Sequence, residues 1–219
     1  MEYGKNWNPA SYYQDDSVAA NYDRQRFTSL AGRVFDRLEK RVLGMAFAGV
    51  ATGAVIGDVP CGTGRLAESL LGQGFRVLGI DISPQMLSVA RGKLARFGDR
   101  FQSRVCDARA LAQEGIRFDA ALCARVLMHF PLAEQIQFLR NVAQVTSGRI
   151  VFTQGLNTPY HRLRRMAKRL LGHQNPAVYP VTPAELDRLI REAGLREVRR
   201  YRVVPIISEA VIVVTERAA

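Results

Sequence analysis

Five short apolar runs restrict the folds open to this chain. "AVIGDV" (54–59), "FRVLGI" (75–80), "FQSRVC" (101–106), "FDAALC" (118–123) and "GRIVFTQ" (148–154) are too short for helices and are bounded by turns. Stretches with helical spacing separate them. "RLAESLLGQG" ends on glycine, as helices often do. "SPQMLSVARGKLARFG" opens with Ser83 as N-cap and Pro84 at the first helical position. "PLAEQIQFLRNVAQV" opens with Pro131 and repeats Ile136, Leu139, Val142 and Val145 along one face.

Strand and helix in repeated alternation imply parallel strands, right-handed crossovers and helices on both faces of the sheet. After the fifth strand come a basic segment, a helix "TPAELDRLIREAGL", and two further strands, "REVRRYRVV" and "SEAVIVVTE", joined through Pro205. The expected fold is α/β: a Rossmann-like doubly wound sheet, mostly parallel, with an antiparallel C-terminal strand. A chain of 219 residues is long enough for one such domain. The longest uncharged run, Val42 to Gly57, is slightly short for a membrane span and is broken by glycines, so it reads as a helix end, a turn and the first strand. The polar N-terminus lacks the pattern of a secretory signal. These features predict a cytoplasmic protein.

The turn "DVPCGTG" lies at the carboxyl end of the first strand, where ligands of doubly wound sheets bind. Gly62 and Gly64 let the backbone approach a ligand closely. Pro60, with its fixed φ and no N–H, is acceptable if the chain is still extended there and no donor is needed. Asp81 ends the second strand, about 20 residues after the glycines, a spacing that suits the two hydroxyls of a ribose. If so, its loss should weaken ligand binding and barely alter the ligand-free fold. Asp107 follows the third strand, in reach of an adenine amino group. Either aspartate alone would serve as a cap or turn residue; three such features at successive strand ends point to a nucleoside-containing ligand. "GTGRLA" also fits a dinucleotide fingerprint. An NAD enzyme, however, usually has more chain for its substrate, and neither a Tyr-x-x-x-Lys set nor a second domain is visible.

Taken in order, "DVPCGTG", "GIDISPQML", "CDARAL" and "FDAALCARVLMHF" resemble the class I S-adenosylmethionine-dependent methyltransferases. The resemblance is strong over roughly residues 54–155 and weaker toward both ends, where "SVAANYDRQRF" is similar to the N-terminal lid of small members. Pro60 stands where the usual turn has its first glycine, a departure that some members share. The resemblance implies that S-adenosylmethionine is the cofactor and that the Asp58–Gly64 turn, including Pro60 and Cys61, wraps its methionine part. It implies Asp81 on the ribose, Ile82 and Met86 beside the adenine, and Asp107 and Ala108 at the adenine edge. Ala124 and Arg125 fall near the sulfonium, with Tyr22 and Arg26 in the lid. The implied organisation is one methyltransferase domain over 1–219: an N-terminal cap (1–52), a cofactor-binding core (53–155) and an acceptor-side segment ending the sheet (156–219).

Methyl transfer from a sulfonium is an in-line displacement that needs mainly positioning and exclusion of water. A base is required only for an acceptor that must lose a proton early. His129, just past the fourth strand, is the candidate base, or else orders the loop or lines the pocket; Tyr160 and His161, after the fifth strand, are candidate acceptor contacts. By this strand reading Cys61, Cys106 and Cys123 all sit at carboxyl ends around one pocket. Their spacing is unlike a metal site, which favours Cys61 and Cys106 as small residues for close ligand approach and Cys123 as a core residue.

The net charge is +11, with 31 Lys and Arg against 20 Asp and Glu, which favours anionic partners or a basic solvated surface. "PYHRLRRMAKRLLG" (159–172) sets Leu163, Met166, Ala167, Leu170 and Leu171 on one helical face and Arg162, Arg165 and Arg169 on another. Such a helix is a pocket lid with its apolar stripe inward, or an anchor on an anionic membrane. The lid is the default. Nothing resembles an added nucleic-acid-binding module. The expected activity is methyl transfer to O, N or C of a small metabolite. A lipid or lipid-linked acceptor at an anionic membrane surface and a non-catalytic cofactor-binding module are the alternatives.

Overall fold

The structure is a computed structural model that describes residues 19, 21–23, 28–160, 166, 178–204 and 209–218. Arg26, His161, and nearly all of the 159–172 segment lie outside these described residues.

Helix α1 (Leu30–Ala46) precedes the alternating core and is capped by Ser29, whose hydroxyl accepts from the Gly32 amide at 3.1 Å. Strand β1 (Val55–Asp58), helix α2 (Arg65–Gly72), strand β2 (Arg76–Asp81), helix α3 (Pro84–Leu94), strand β3 (Phe101–Val105), strand β4 (Ala120–Cys123), helix α4 (Leu132–Val145) and strand β5 (Ile150–Gly155) follow in order. Helix α5 (Pro183–Glu192) and strands β6 (Leu195–Arg202) and β7 (Ala210–Arg217) complete the fold. The seven strands lie in the order β3-β2-β1-β4-β5-β7-β6. All neighbours from β3 to β5 pair in parallel, with Ile56 of β1 opposite both Val77 of β2 and Ala120 of β4. Strand β7 alone is reversed, antiparallel to β5 and to β6.

The alternation of side chains along each strand divides the core in two. Ala121, Cys123, Ile150 and Phe152 join Ile136, Leu139 and Val142 of α4 and Leu186 and Leu189 of α5. On the opposite face Ile56, Val77, Leu122 and Val151 pack with residues of α1, α2 and α3, among them Leu43, Leu70 and Leu87. β6 is the outer strand and exposes much of its "LREVRRYR" surface.

Within the described residues the expected core strands and helices are present, with local differences. Pro131 is the N-cap of α4, one residue before its first turn. α3 stops at Leu94, and residues 95–100 form a tighter 3-10 stretch interrupted at Gly98, whose φ of 54° breaks the helical path. β1 ends at Asp58, so Val59 and Pro60 lie in a turn, not in extended chain, and the bond between them is cis. The Val42–Gly57 run is, as expected, the end of α1, a turn and most of β1. Among the described residues no helix is long and apolar enough to cross a membrane.

Candidate functional site

The parallel arrangement puts the carboxyl ends of β1, β2 and β4, and the chain just past β3, on one rim. A cleft of about 600 Å³ opens there, lined by Asp58, Asp81, Asp107, Arg125 and His129 among others. The turn after β1 is its floor. The Cys61 amide donates to the Ile80 carbonyl at 2.8 Å, the Gly62 amide to Asp81 Oδ2 at 2.7 Å, and the Gly64 amide to the Cys61 carbonyl at 3.1 Å. The turn is thereby tied to the end of β2. Gly79 permits this: a Cβ there would lie 2.6 Å from Cys61 Sγ.

The two glycines do different work. Both have positive φ, 54° at Gly62 and 73° at Gly64, a region that side chains disfavour. Gly62 lines the cleft and a Cβ on it would meet open space. Gly64 does not line the cleft, and a Cβ there would stand 2.7 Å from Leu94 and 3.1 Å from Ala90 of α3. The expectation that Gly64 serves ligand approach is therefore corrected: it lets α2 begin against α3.

Asp58 is buried, and its Oδ2 has no hydrogen-bond partner. Burial first, and the nearby negative charge of Asp81 second, push its carboxyl up to about 7. Asp81 is also raised by burial, against the pull of backbone amides that bind it. Its Oδ1 accepts from the Ser83 amide at 2.9 Å while Oδ2 holds Gly62. Asp81 is thus a structural tie as well as a cleft residue, which corrects the expectation that the ligand-free fold hardly needs it. With about four acceptor sites, its carboxylate retains capacity for a further donor. Asp107 caps the 3-10 turn at 108–110, accepting from the Arg109 amide at 2.9 Å. Hydrogen bonds from the Arg109 guanidinium, the shortest 2.6 Å, hold its carboxyl below the usual range.

Tyr22, Pro60, Cys61, Ile82, Met86, Ala108 and Ala124 also line the cleft. Tyr160 does not; it is exposed on the surface. Cys106 lines the cleft, whereas Cys123 is fully buried in the core, so the three cysteines do not share one pocket. Among the described residues no His, Cys, Asp or Glu cluster suits a metal ion. Met166, placed on an inward stripe by the lid reading, is exposed.

Two features escaped sequence reasoning. Glu134, Gln137, Phe138 and Asn141 form a stripe of α4 that walls the cleft. Their i, i+3, i+4, i+7 spacing was available, but the apolar face of the same helix drew the reading. The second is a buried charge network. Glu39 of α1 accepts from Arg65 at 2.6 Å and lies 3.9 Å from Arg125; Arg65 also binds Asp36. Arg125 has a φ of 60°, and its amide donates to Thr153 Oγ1 at 2.7 Å. Asp36 and Glu39 on an otherwise basic helix were the signal. The described residues ahead of α1 are tied down too: Asp23, beside Tyr22, accepts from Thr63 Oγ1 at 2.9 Å and pairs with Lys93 at 3.0 Å.

The family described as "Methyltransferase domain" matches residues 56–148, the span from β1 to just before β5. A ubiquinone biosynthesis O-methyltransferase of Nitrosomonas europaea is 35% identical over 150 residues, covering 64% of this chain and 63% of that protein. The crystal structure of magnesium protoporphyrin IX methyltransferase from Synechocystis, with bound SAH, superposes with a TM-score of 0.75 at 18% identity, over 95% of this chain and 99% of that one. The chain belongs to the class I S-adenosylmethionine-dependent methyltransferases. A second neighbour, the 1,6-didemethyltoxoflavin-N1-methyltransferase of Burkholderia thailandensis, gives a TM-score of 0.67 at 20% identity over 99% of this chain and 93% of that one. The chain spans somewhat less than two thirds of the length of the Nitrosomonas relative.

For a methyltransferase of this class the cleft must take a cationic nucleoside. The residues present fit it: Asp58 offers a buried oxygen without a partner, Gly62 leaves room for close approach, and Asp81 keeps acceptor capacity.

Proposed function

We propose that the chain transfers a methyl group from S-adenosylmethionine to O, N or C of a small molecule by in-line displacement. The observation that carries this reading is the convergence of Asp58, Asp81 and Asp107, from three successive strand ends, on one cleft floored by the Gly62 turn. S-adenosylmethionine, when bound, supplies a methyl group already activated on sulfur. The chain's part is to bind, orient and exclude water. The turn from Asp58 to Gly62, with Pro60 and Cys61, faces the methionine end, and Asp58 there offsets positive charge. Asp81 accepts from the ribose hydroxyls; Ile82, Met86, Asp107 and Ala108 border the base; Ala124 and Arg125 border the reacting end. Tyr22 closes the cleft from the N-terminal side, held by the ties of Asp23. His129 stands at the cleft wall as the group to take a proton from a hydroxyl acceptor.

We read residues 1–219 as one domain with an N-terminal cap, a cofactor core and an acceptor-side segment. The similarity to an O-methyltransferase of ubiquinone biosynthesis supports a small-molecule acceptor and favours oxygen among the three atoms. Calorimetric titration with S-adenosylmethionine, S-adenosylhomocysteine and NAD tests the cofactor. Micromolar binding of the first two is expected, and saturable binding of NAD alone overturns the reading. Mass spectrometry of a metabolite extract incubated with the protein and isotope-labelled cofactor then identifies the acceptor.

A further inference from the structure

Helix α1 carries charge of opposite sign on its two faces. Its two acids turn inward: Glu39 to Arg65 and Arg125, Asp36 to Arg65 and Lys40. Its outward stripe holds Leu30, Arg33, Val34, Arg37, Arg41 and Met45, all exposed and with no acid among them. The spacing i, i+3, i+4, i+7, i+11, i+15 keeps these six on one side of the helix. Leu30 is 72% exposed, Val34 48% and Met45 44%, a large aliphatic presence on a surface otherwise made of arginine.

The helix is also oriented with respect to the cleft. In its first half Asp36 meets Arg65, a cleft residue at the start of α2. At its other end the Ala46 carbonyl accepts from Arg149 at 2.9 Å, and Arg149 precedes β5 on the opposite rim of the sheet. The half of α1 that carries Leu30, Arg33 and Val34 is therefore directed toward the side of the sheet on which the cleft opens.

We propose that the outward face of α1 docks on an anionic phospholipid surface, with the mouth of the cleft beside the bilayer. Leu30, Val34 and Met45 enter the interface, and Arg33, Arg37 and Arg41 meet the headgroup phosphates while their methylene stems remain in the apolar layer. Other occupants fit less well. A nucleic-acid backbone rewards the cations and leaves the three aliphatic side chains without a partner. A second copy of the helix would set three arginines against three. The docking stands on the surface of α1 alone; only its use, delivery of an amphiphilic acceptor, rests on the methyltransferase reading.

Flotation with phosphatidylglycerol-rich and pure phosphatidylcholine vesicles tests the docking. The wild type is expected to float with the anionic vesicles, less as salt rises, and not with the neutral ones. Arg37→Ser with Arg41→Ser should lower the partition about 25-fold, ~fivefold for each cation removed. Leu30→Ser with Val34→Ser should also weaken it while leaving the cations in place. Both variants should keep the wild-type circular dichroism and S-adenosylhomocysteine affinity, since none of the four residues lines the cleft. Failure to bind S-adenosylhomocysteine in all proteins, with flotation intact, counts against the enzyme reading and not against the docking. The docking is overturned if the wild type stays unbound, or if the α1 variants float as well as it does. It is likewise overturned if only changes at Arg162, Arg165 and Arg169 abolish flotation, if a DNA duplex binds more tightly than the vesicles, or if Leu30→Ser dissolves a dimer seen by sedimentation.

Discussion

Asp58 makes the ligand-free protein sensitive to pH in a direction opposite to most paired carboxylates. Its carboxyl is fully buried and raised to about 7 from an ordinary 3.8. Between these values the folded state holds a proton that the unfolded state has released. Stability is then greatest at low pH and falls as pH rises through 4 to 7. At about 1.36 kcal/mol per unit the whole shift is worth about 4 kcal/mol, with about 3 of them between pH 5 and 8. For a chain of this size that is roughly 6–12 °C of melting temperature. Asp58→Asn removes this slope, so the variant should gain on the wild type by that margin as pH rises from 5 to 8. A cationic ligand beside Asp58 reverses the preference and expels the proton. Cofactor affinity should therefore climb with pH up to about 7 and then level. Calorimetry below pH 7, in two buffers of different ionisation heat, should show release of up to one proton. Parallel melting curves for wild type and Asp58→Asn across this range, together with no proton release on binding, would refute the argument.

Three further expectations follow from the cleft. Gly64→Ala, whose methyl would strike Leu94, should lower the ligand-free melting temperature sharply, whereas Gly62→Ala should cost about 1–3 kcal/mol of backbone strain and show its larger effect on cofactor affinity, by calorimetry. Asp81→Ala should weaken S-adenosylhomocysteine binding at least tenfold and also destabilise the ligand-free protein by about 1–3 kcal/mol, because the Gly62 and Ser83 amides lose their acceptor; unchanged urea unfolding would show that the tie is dispensable. The Asp23–Lys93 pair is partly exposed, so its loss in Lys93→Ala should accelerate cofactor dissociation no more than about fivefold, read by stopped-flow fluorescence and diminished at high salt.

The fold was legible because its signals are local. Alternation of short apolar runs with helical spacing sets a parallel sheet, and Ser83-Pro84 marks a helix start that tertiary contacts do not override. The cleft's backbone-proximal part was legible for the same reason: strand ends converge, so residues at strand ends converge. What stayed hidden depends on partners far apart in sequence. Gly64 and Gly62 look alike in the chain, and only the position of Leu94 separates their roles. Asp81 reads as a ligand residue because its bond to the Gly62 amide joins residues 19 apart. Glu39 reads as one more charge on a basic helix until α2 is packed beside it and Arg65 is drawn in. Pro60 invited an argument from extended chain, and the strand ends before it.

The outer strand β6 bears on how copies of the protein behave toward one another. A strand at the margin of a sheet leaves backbone groups unpaired along its free side and invites another chain to extend the sheet. β6 carries Arg196, Arg199, Arg200 and Arg202 against the single acid Glu197. Glu216 pairs with Arg196, and Glu197 and Asp187 with Arg200, so the charge that two copies meeting edge to edge would bring together, at the strand spacing of about 5 Å, is chiefly that of Arg199 and Arg202. Such repulsion opposes strand addition at the end of the sheet where the exposed Val198 would otherwise favour it.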